Sequence, residues 1–232
     1  MIDMYLMKYT QEMFDAIPVV DGFKKCPTGD YSEIYKFPNL CVFKKDSLFG
    51  YDSKFGYGCY FAENCKFLDC CAFESRCVFF KECKFGADCC FNTCCKFSNY
   101  CSFEHDCEFG NDCRFENNCR FGNNCSFGFR CDFLTECNFG KWCDFGSSCK
   151  FEKHCICEFG CFTDIVSCSW RGGGYPPIYF FGLVDGSISV RCGAYAGAID
   201  DWYNEACEEY KGTNLVSSNL ALVMAVKERF KN

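Results

Sequence analysis

Residues 101–128 read CSFEHDCEFGNDCRFENNCRFGNNCSFG, with Cys and Phe two positions apart and each recurring every six residues. The spacing extends far beyond this stretch. Phe occupies every sixth position from Phe43 to Phe151, nineteen positions without a miss. Two residues before each stands a small residue: Cys41, Ser47, Ser53, then cysteine at every sixth position from Cys59 to Cys155. The phase decays at CICEFGC (155–161), where Cys157 takes the Phe slot. Self-similarity at so fixed a period is the mark of a solenoid.

The period of six sets the cross-section. Alternate residues of a strand point the same way, so C-x-F turns Cys and Phe inward and its middle residue outward. The next three residues turn a corner, which often opens on glycine, as at Gly50, Gly86 and Gly110. Glycine suits a corner that needs unusual φ/ψ. Three such faces close a triangle of 18 residues. Coils stack through parallel ladders about 4.8 Å apart, so residues 41–163 give between six and seven coils and a rod roughly 30 Å long.

The hexad F-[GE]-x-x-C-x resembles the hexapeptide signature of left-handed parallel β-helices, with Phe for the aliphatic residue and Cys for the small one. A bulky ring beside a small thiol fills a similar cross-section. The resemblance implies a mainly β, left-handed triangular solenoid. The hand rests on it alone, because ordinary parallel crossovers are right-handed. Pentapeptide-repeat helices are the runner-up, but this period never slips to five.

Length and composition bound the rest. The 232 residues suffice for a repeat body with small caps. A net charge of −7 argues against generic attraction to nucleic acid or anionic membrane. No stretch approaches the apolar run of about 20 residues that spans a bilayer. The start, MIDMYLMKYTQEMFDAIPVV, lacks a basic n-region and reads as structure. Of the 27 cysteines, eighteen are locked to the repeat phase. The expectation is therefore a cytoplasmic protein, with reduced thiols packing as small hydrophobes.

The ends differ from the body. Residues 1–40 read as an N-terminal cap, with a short helix in TQEMFDAI (10–17) and a loop, CPTGD (26–30), leading into the first coil. Residues 41–163 form the repeat, and 164–232 a small C-terminal α+β cap. In that cap SWRGGGYPP (169–177) reads as a linker and IYFFGLVDGSISVRC (178–192) as a hairpin turning at Asp185-Gly186. Two helices are predicted, over 197–210 and 216–230. The C-x-F-G arrays followed by DGSISVRCGAYAG (185–197) resemble uncharacterised repeat proteins of gut bacteria and their phages. That resemblance implies a setting, a phage or mobile element in the cytoplasm of a bacterial host cell, and no chemistry.

Outward positions 18 apart share a face. Face one reads Val42, Tyr60, Val78, Lys96, Arg114, Asp132, Lys150. Face two reads Leu48, Lys66, Lys84, Ser102, Arg120, Asn138, Ile156, and face three Lys54, Ala72, Cys90, Glu108, Ser126, Asp144, Phe162. Val42, Tyr60 and Val78 form an apolar strip, a contact surface for a protein partner or another copy. Lys66, Lys84, Lys96, Arg114 and Arg120 put cations on two adjoining faces, as solvated charges or as a hold for phosphates. Trp202 and Tyr203, after Asp200-Asp201, are anchors if exposed and cap packing otherwise.

Three functional readings follow. The first is a non-catalytic β-solenoid acting as a rigid protein-interaction scaffold. The second is an acidic rod that imitates nucleic acid, from the Asp, Asn and Glu of the corners. The third is an acyltransferase, since the hexapeptide β-helix family is best known for these, many of them trimers with a histidine between subunits. His105, beside Glu104 and Asp106, is then the catalytic choice over His154. The repeat has no inserted loop to embrace a substrate. No C-x-x-C, P-loop or G-x-G-x-x-G is present, so no cofactor or metal is expected.

Overall fold

The computed structural model describes residues 6–152, 154–158, 160–168, 178–192, 195–209, 211 and 214–231. The chain divides into two units, Met1–Lys150 and Phe151–Asn232.

The first unit is a parallel β-solenoid. Its short strands join in three ladders, each with partners 18 residues apart. Ala72–Phe73, for example, pairs with Lys54–Phe55 before it and Cys90–Phe91 after it. Each ladder contributes seven strands between Phe23–Cys26 and Asp144–Phe145, which makes seven coils.

The coils begin earlier than the Cys-x-Phe pattern does. Phe23–Cys26, Asp30–Tyr31 and Lys36–Phe37 already pair in parallel with the coil that follows. Residues 1–40 are thus a cap only up to about the first coil, and CPTGD joins two of its strands. Cys26, Tyr31 and Phe37 fill the ring slots there, and all three are buried.

The core repeats one contact set. Phe85 stacks on Phe103 of the next coil at 4.7 Å between ring centroids, and meets Phe91 of the next face edge-on at 5.0 Å. Stacked and edge-on rings are both favourable arrangements, so every central ring gains from each neighbour. The inward thiols alternate with the rings. Each donates to the carbonyl that follows the Phe of the previous coil, as Cys107 to Gly86 at 3.4 Å and Cys131 to Gly110 at 3.4 Å.

Two corner positions have separate logics. The residue just before each Cys has positive φ, for example Asp88 (56°), Asp106 (59°), Asn124 (58°) and Trp142 (63°). Asp and Asn tolerate this left-handed conformation best among non-glycine residues. The glycine after Phe, expected to supply the unusual φ, does not. A Cβ on Gly140 would lie 2.5 Å from the backbone carbon of Gly122 in the coil before, so close approach selects it.

Both ladder edges at the start of faces one and two are covered. Val19–Val20 folds back antiparallel on Phe23–Cys26, through Asp21 and Gly22 at positive φ. Lys8 bridges to Asp30, with Tyr9 N and Asp30 N each donating at 2.8 Å. On face three, Lys54 N and Gly56 N donate to the coil before, and the matching places one coil earlier are Lys36 and Pro38. Proline removes one donor from that edge. Helix α1 (Gln11–Asp15) is capped by Thr10 and buries Phe14 edge-on against Phe37 at 5.2 Å.

The second unit is α+β, as the sequence predicts. Cys155–Cys157 turns antiparallel onto Gly160–Cys168, followed by Ile178–Leu183, Ile188–Cys192 and Tyr195–Ala198. The hairpin turns at Asp185-Gly186, with Gly186 at φ 84°. Helices α2 (Ile199–Glu209) and α3 (Asn214–Arg229) pack on this sheet around Phe180, Val190, Trp202, Val223 and Val226. The linker 169–177 lies outside the described residues.

Candidate functional site

The outer faces of the solenoid carry what chemistry the first unit has. On face one the register brings Val42, Tyr60 and Val78 together on three successive strands. Tyr60 is 37% exposed and leans on Phe23 at 6.1 Å. Phe80, at the corner beside Val78, is 47% exposed, and Val19 and Val20 of the edge hairpin are exposed too. The strip is therefore longer than the sequence suggests. Phe80 stands at a corner, which reads as a turn, and the hairpin belongs to the cap.

The strip has a cation at each end. Lys25 precedes Val42 in register, and Lys96 follows Val78. The five cations named from the sequence are all exposed. Lys66 sits directly beside Lys84, and Lys96 beside Arg114. Among the described residues none of the five is paired with a carboxylate. Like charges directly opposed on a sheet oppose its pairing, so these rungs stand without local compensation.

Face three holds a groove of about 830 Å³. Its floor runs Lys36, Lys54, Ala72, Cys90, Glu108, Ser126. Lys36 is missing from the sequence reading of this face because the first coil looks like cap.

Several corner polar residues are committed to structure. Asp69 Oδ1 accepts from Ala87 N at 2.9 Å, Asn99 Oδ1 from Asn117 N at 3.0 Å, and Asn123 Oδ1 from Lys141 N at 2.8 Å. Each side chain satisfies a backbone donor one coil on.

His105 stands on an open corner. Its Nδ1 lies 2.6 Å from Asp106 Oδ2, with both side chains about half exposed. That hydrogen bond raises His105 above the usual imidazole range and lowers Asp106 below the usual carboxylate range. His154 is exposed as well. Neither histidine lines the groove.

The cysteines from Cys26 to Cys157, together with Cys192 and Cys207, are free thiols. The inward ones form three files, 18 residues apart. Hydrogen bonding to the neighbouring sulfur, with burial added, pushes Cys77 and Cys131 up to about 12. Burial acts on all of them toward the neutral thiol, a poor nucleophile and metal ligand. Among the described residues no cluster of His, Cys, Asp or Glu is arranged to hold a metal. Cys70 and Cys90 are the exposed thiols, with Cys94 half-buried.

Trp202 is not exposed. It is 7% accessible and meets Phe180 edge-on at 5.8 Å, inside the second unit's own core. Tyr203 is half-buried against the same cluster. Trp202 therefore packs the C-terminal unit and is no surface anchor, while Tyr203 keeps part of its side chain at the surface.

No family model, curated protein or solved structure matches the chain. Among the described residues no helix is long and apolar enough to cross a membrane.

Proposed function

We propose that the chain is a non-catalytic, rigid protein-interaction scaffold, with its first face as the contact. The observation that carries this reading is the in-register strip Val42–Tyr60–Val78, extended by exposed Phe80 and flanked by Lys25 and Lys96. A filled interior leaves the outer surface as the place for recognition. Contiguous apolar surface on a small β body marks a protein contact.

The flanking charges favour a different protein over a second copy. A twofold axis through Tyr60 would lay Lys25 of one chain over Lys96 of the other. A partner with an apolar patch between carboxylates avoids that repulsion. The reading as a nucleic-acid mimic is weaker, since Asp69 and several corner asparagines accept from backbone donors and Asp112 is paired with Arg130.

The test is affinity capture from the cells that express the protein, comparing the native chain with Tyr60→Glu and with Lys66→Glu. The scaffold reading expects one protein that Tyr60→Glu loses and Lys66→Glu keeps. Capture insensitive to Tyr60 overturns it.

A further inference from the structure

The groove on face three is separate from the strip on face one and has a distinct character. Its floor is ordered by charge along the stack. Lys36 and Lys54 occupy two successive strands, Ala72 and Cys90 the next two, and Glu108 the one after. Both lysines, Cys90 and Glu108 are exposed, and Ala72 is half-buried. Among the described residues, neither lysine nor Glu108 has an ion-pair partner. The corner beside the floor carries Gly56, Glu74, Asn92 and Gly110; the glycines keep their parts of the rim low, and Glu74, which accepts from Asn92 Nδ2 at 3.4 Å, puts a second carboxylate on the rim on the Glu108 side of the two lysines.

We infer that this groove binds an extended peptide whose ends carry opposite charge. The peptide's acidic side chains lie over Lys36 and Lys54, a small apolar side chain sits over Ala72 and Cys90, and a basic one meets Glu108. The charge order selects this occupant. A uniform polyanion, nucleic acid included, would meet Glu108 and be repelled. A uniform polycation would be repelled by the two lysines. Lengths agree as well. Lys36 and Glu108 are four coils apart, roughly 19 Å at the ladder spacing, which about six extended residues span. At the middle of the floor the side chains are small, Ala72 and Cys90. The inference deepens the scaffold reading by naming a second surface and its partner's chemistry.

The experiment uses the intact chain under reducing conditions and a displayed library of random seven-residue peptides. Bound peptides are then synthesised and scored by the alkylation rate of Cys90, followed by mass spectrometry of its proteolytic fragment. Cys70 is exposed outside the groove and serves as the control within the same molecule. The expected result is enriched peptides with acidic and basic residues at opposite ends. They should slow Cys90 alkylation at least ten-fold and leave Cys70 unchanged. The double charge swap Lys54→Glu with Glu108→Lys should select peptides of the reverse charge order. Failure to enrich any peptide, peptides that leave Cys90 unprotected, or a selection indifferent to the swap would each overturn the inference. None of these outcomes touches the strip on face one, whose partner is read by Tyr60→Glu.

Discussion

The sulfur of Cys107 lies 3.4 Å from the carbonyl oxygen of Gly86, twenty-one residues earlier in the chain. The same step joins Cys125 to Glu104 and Cys143 to Gly122. Cysteine is therefore more than a small filler. Its thiol gives each corner carbonyl a donor, while its size leaves space for the ring two residues on. Serine in the same slot keeps a donor but aims it locally: Ser53 donates to Gly50, three residues back in its own coil, at 2.9 Å.

This pairing separates two substitutions. Cys107→Ser keeps a donor and should cost no more than about 1 kcal/mol, the net worth of one such bond. Cys107→Val removes the donor and adds bulk between stacked rings, at about 1–3 kcal/mol. Urea midpoints at unchanged slope measure both. Equal losses would mean that the thiol's hydrogen bond does nothing.

The glycine after Phe makes a second prediction. Gly140→Ala forces a Cβ to 2.5 Å from the Gly122 backbone, which cannot rotate away. A loss of about 1–3 kcal/mol is expected, the usual cost of overpacking. Gly22→Ala is different in kind, since nothing lies within 4 Å and the strain there comes from φ 82°.

The left-handed corners allow stabilisation. Glu82 has φ 64° and is exposed. Glu82→Asn should raise the denaturation midpoint by about 0.5–1 kcal/mol, because asparagine adopts this conformation at lower cost. A lower midpoint would show that Glu82 makes a contribution beyond its backbone.

His105 and Asp106 give a pH dependence of known sign. A histidine raised in the folded state stabilises fully below its unfolded value, and that contribution fades as pH climbs through the folded value. A lowered aspartate stabilises above its unfolded value and fades as pH falls through the folded one. The pair is thus strongest in mildly acidic solution. Asp106→Asn should bring the His105 titration, followed by NMR, down toward the usual imidazole range. An unchanged titration would show that the pair does not form.

Among the described residues of the second unit Arg191 and Glu158 form a buried ion pair at 3.5 Å, and the guanidinium lies 4.7 Å from the Tyr179 ring centroid. Arg191→Leu strands a largely enclosed carboxylate, and about 3–5 kcal/mol should be lost from this unit. Thermal scans that monitor Trp202 fluorescence would detect it.

The body of the fold was legible because Phe and Cys recur at one phase, and a period of six admits few cross-sections. The first coil was not. Cys26, Tyr31 and Phe37 stand where Phe stands elsewhere, and Lys25 pairs with Val42 at a spacing of seventeen instead of eighteen. The reason for the corner glycines was hidden too, since it lies in the distance between coils. Lys24 shows the same limit. Its ammonium donates to Phe14 O at 2.8 Å and Ile17 O at 2.7 Å, closing α1 over the core, and no local pattern announces it. Trp202 looked equally suited to surface or core, and only the sheet that receives it decides. The strip Val42, Tyr60, Val78 was readable from arithmetic alone, while its extension to Phe80 needed the corner's geometry.

The most direct test replaces Tyr60 with a photo-crosslinking phenylalanine analogue, in the cells that express the protein. The same replacement at exposed Lys66, on the neighbouring face, is the comparison. The scaffold account expects a discrete adduct to one other protein from position 60, lost when Val78→Lys is added, and none from position 66. The absence of any adduct at position 60, or an adduct only to a second copy of this chain, would contradict it.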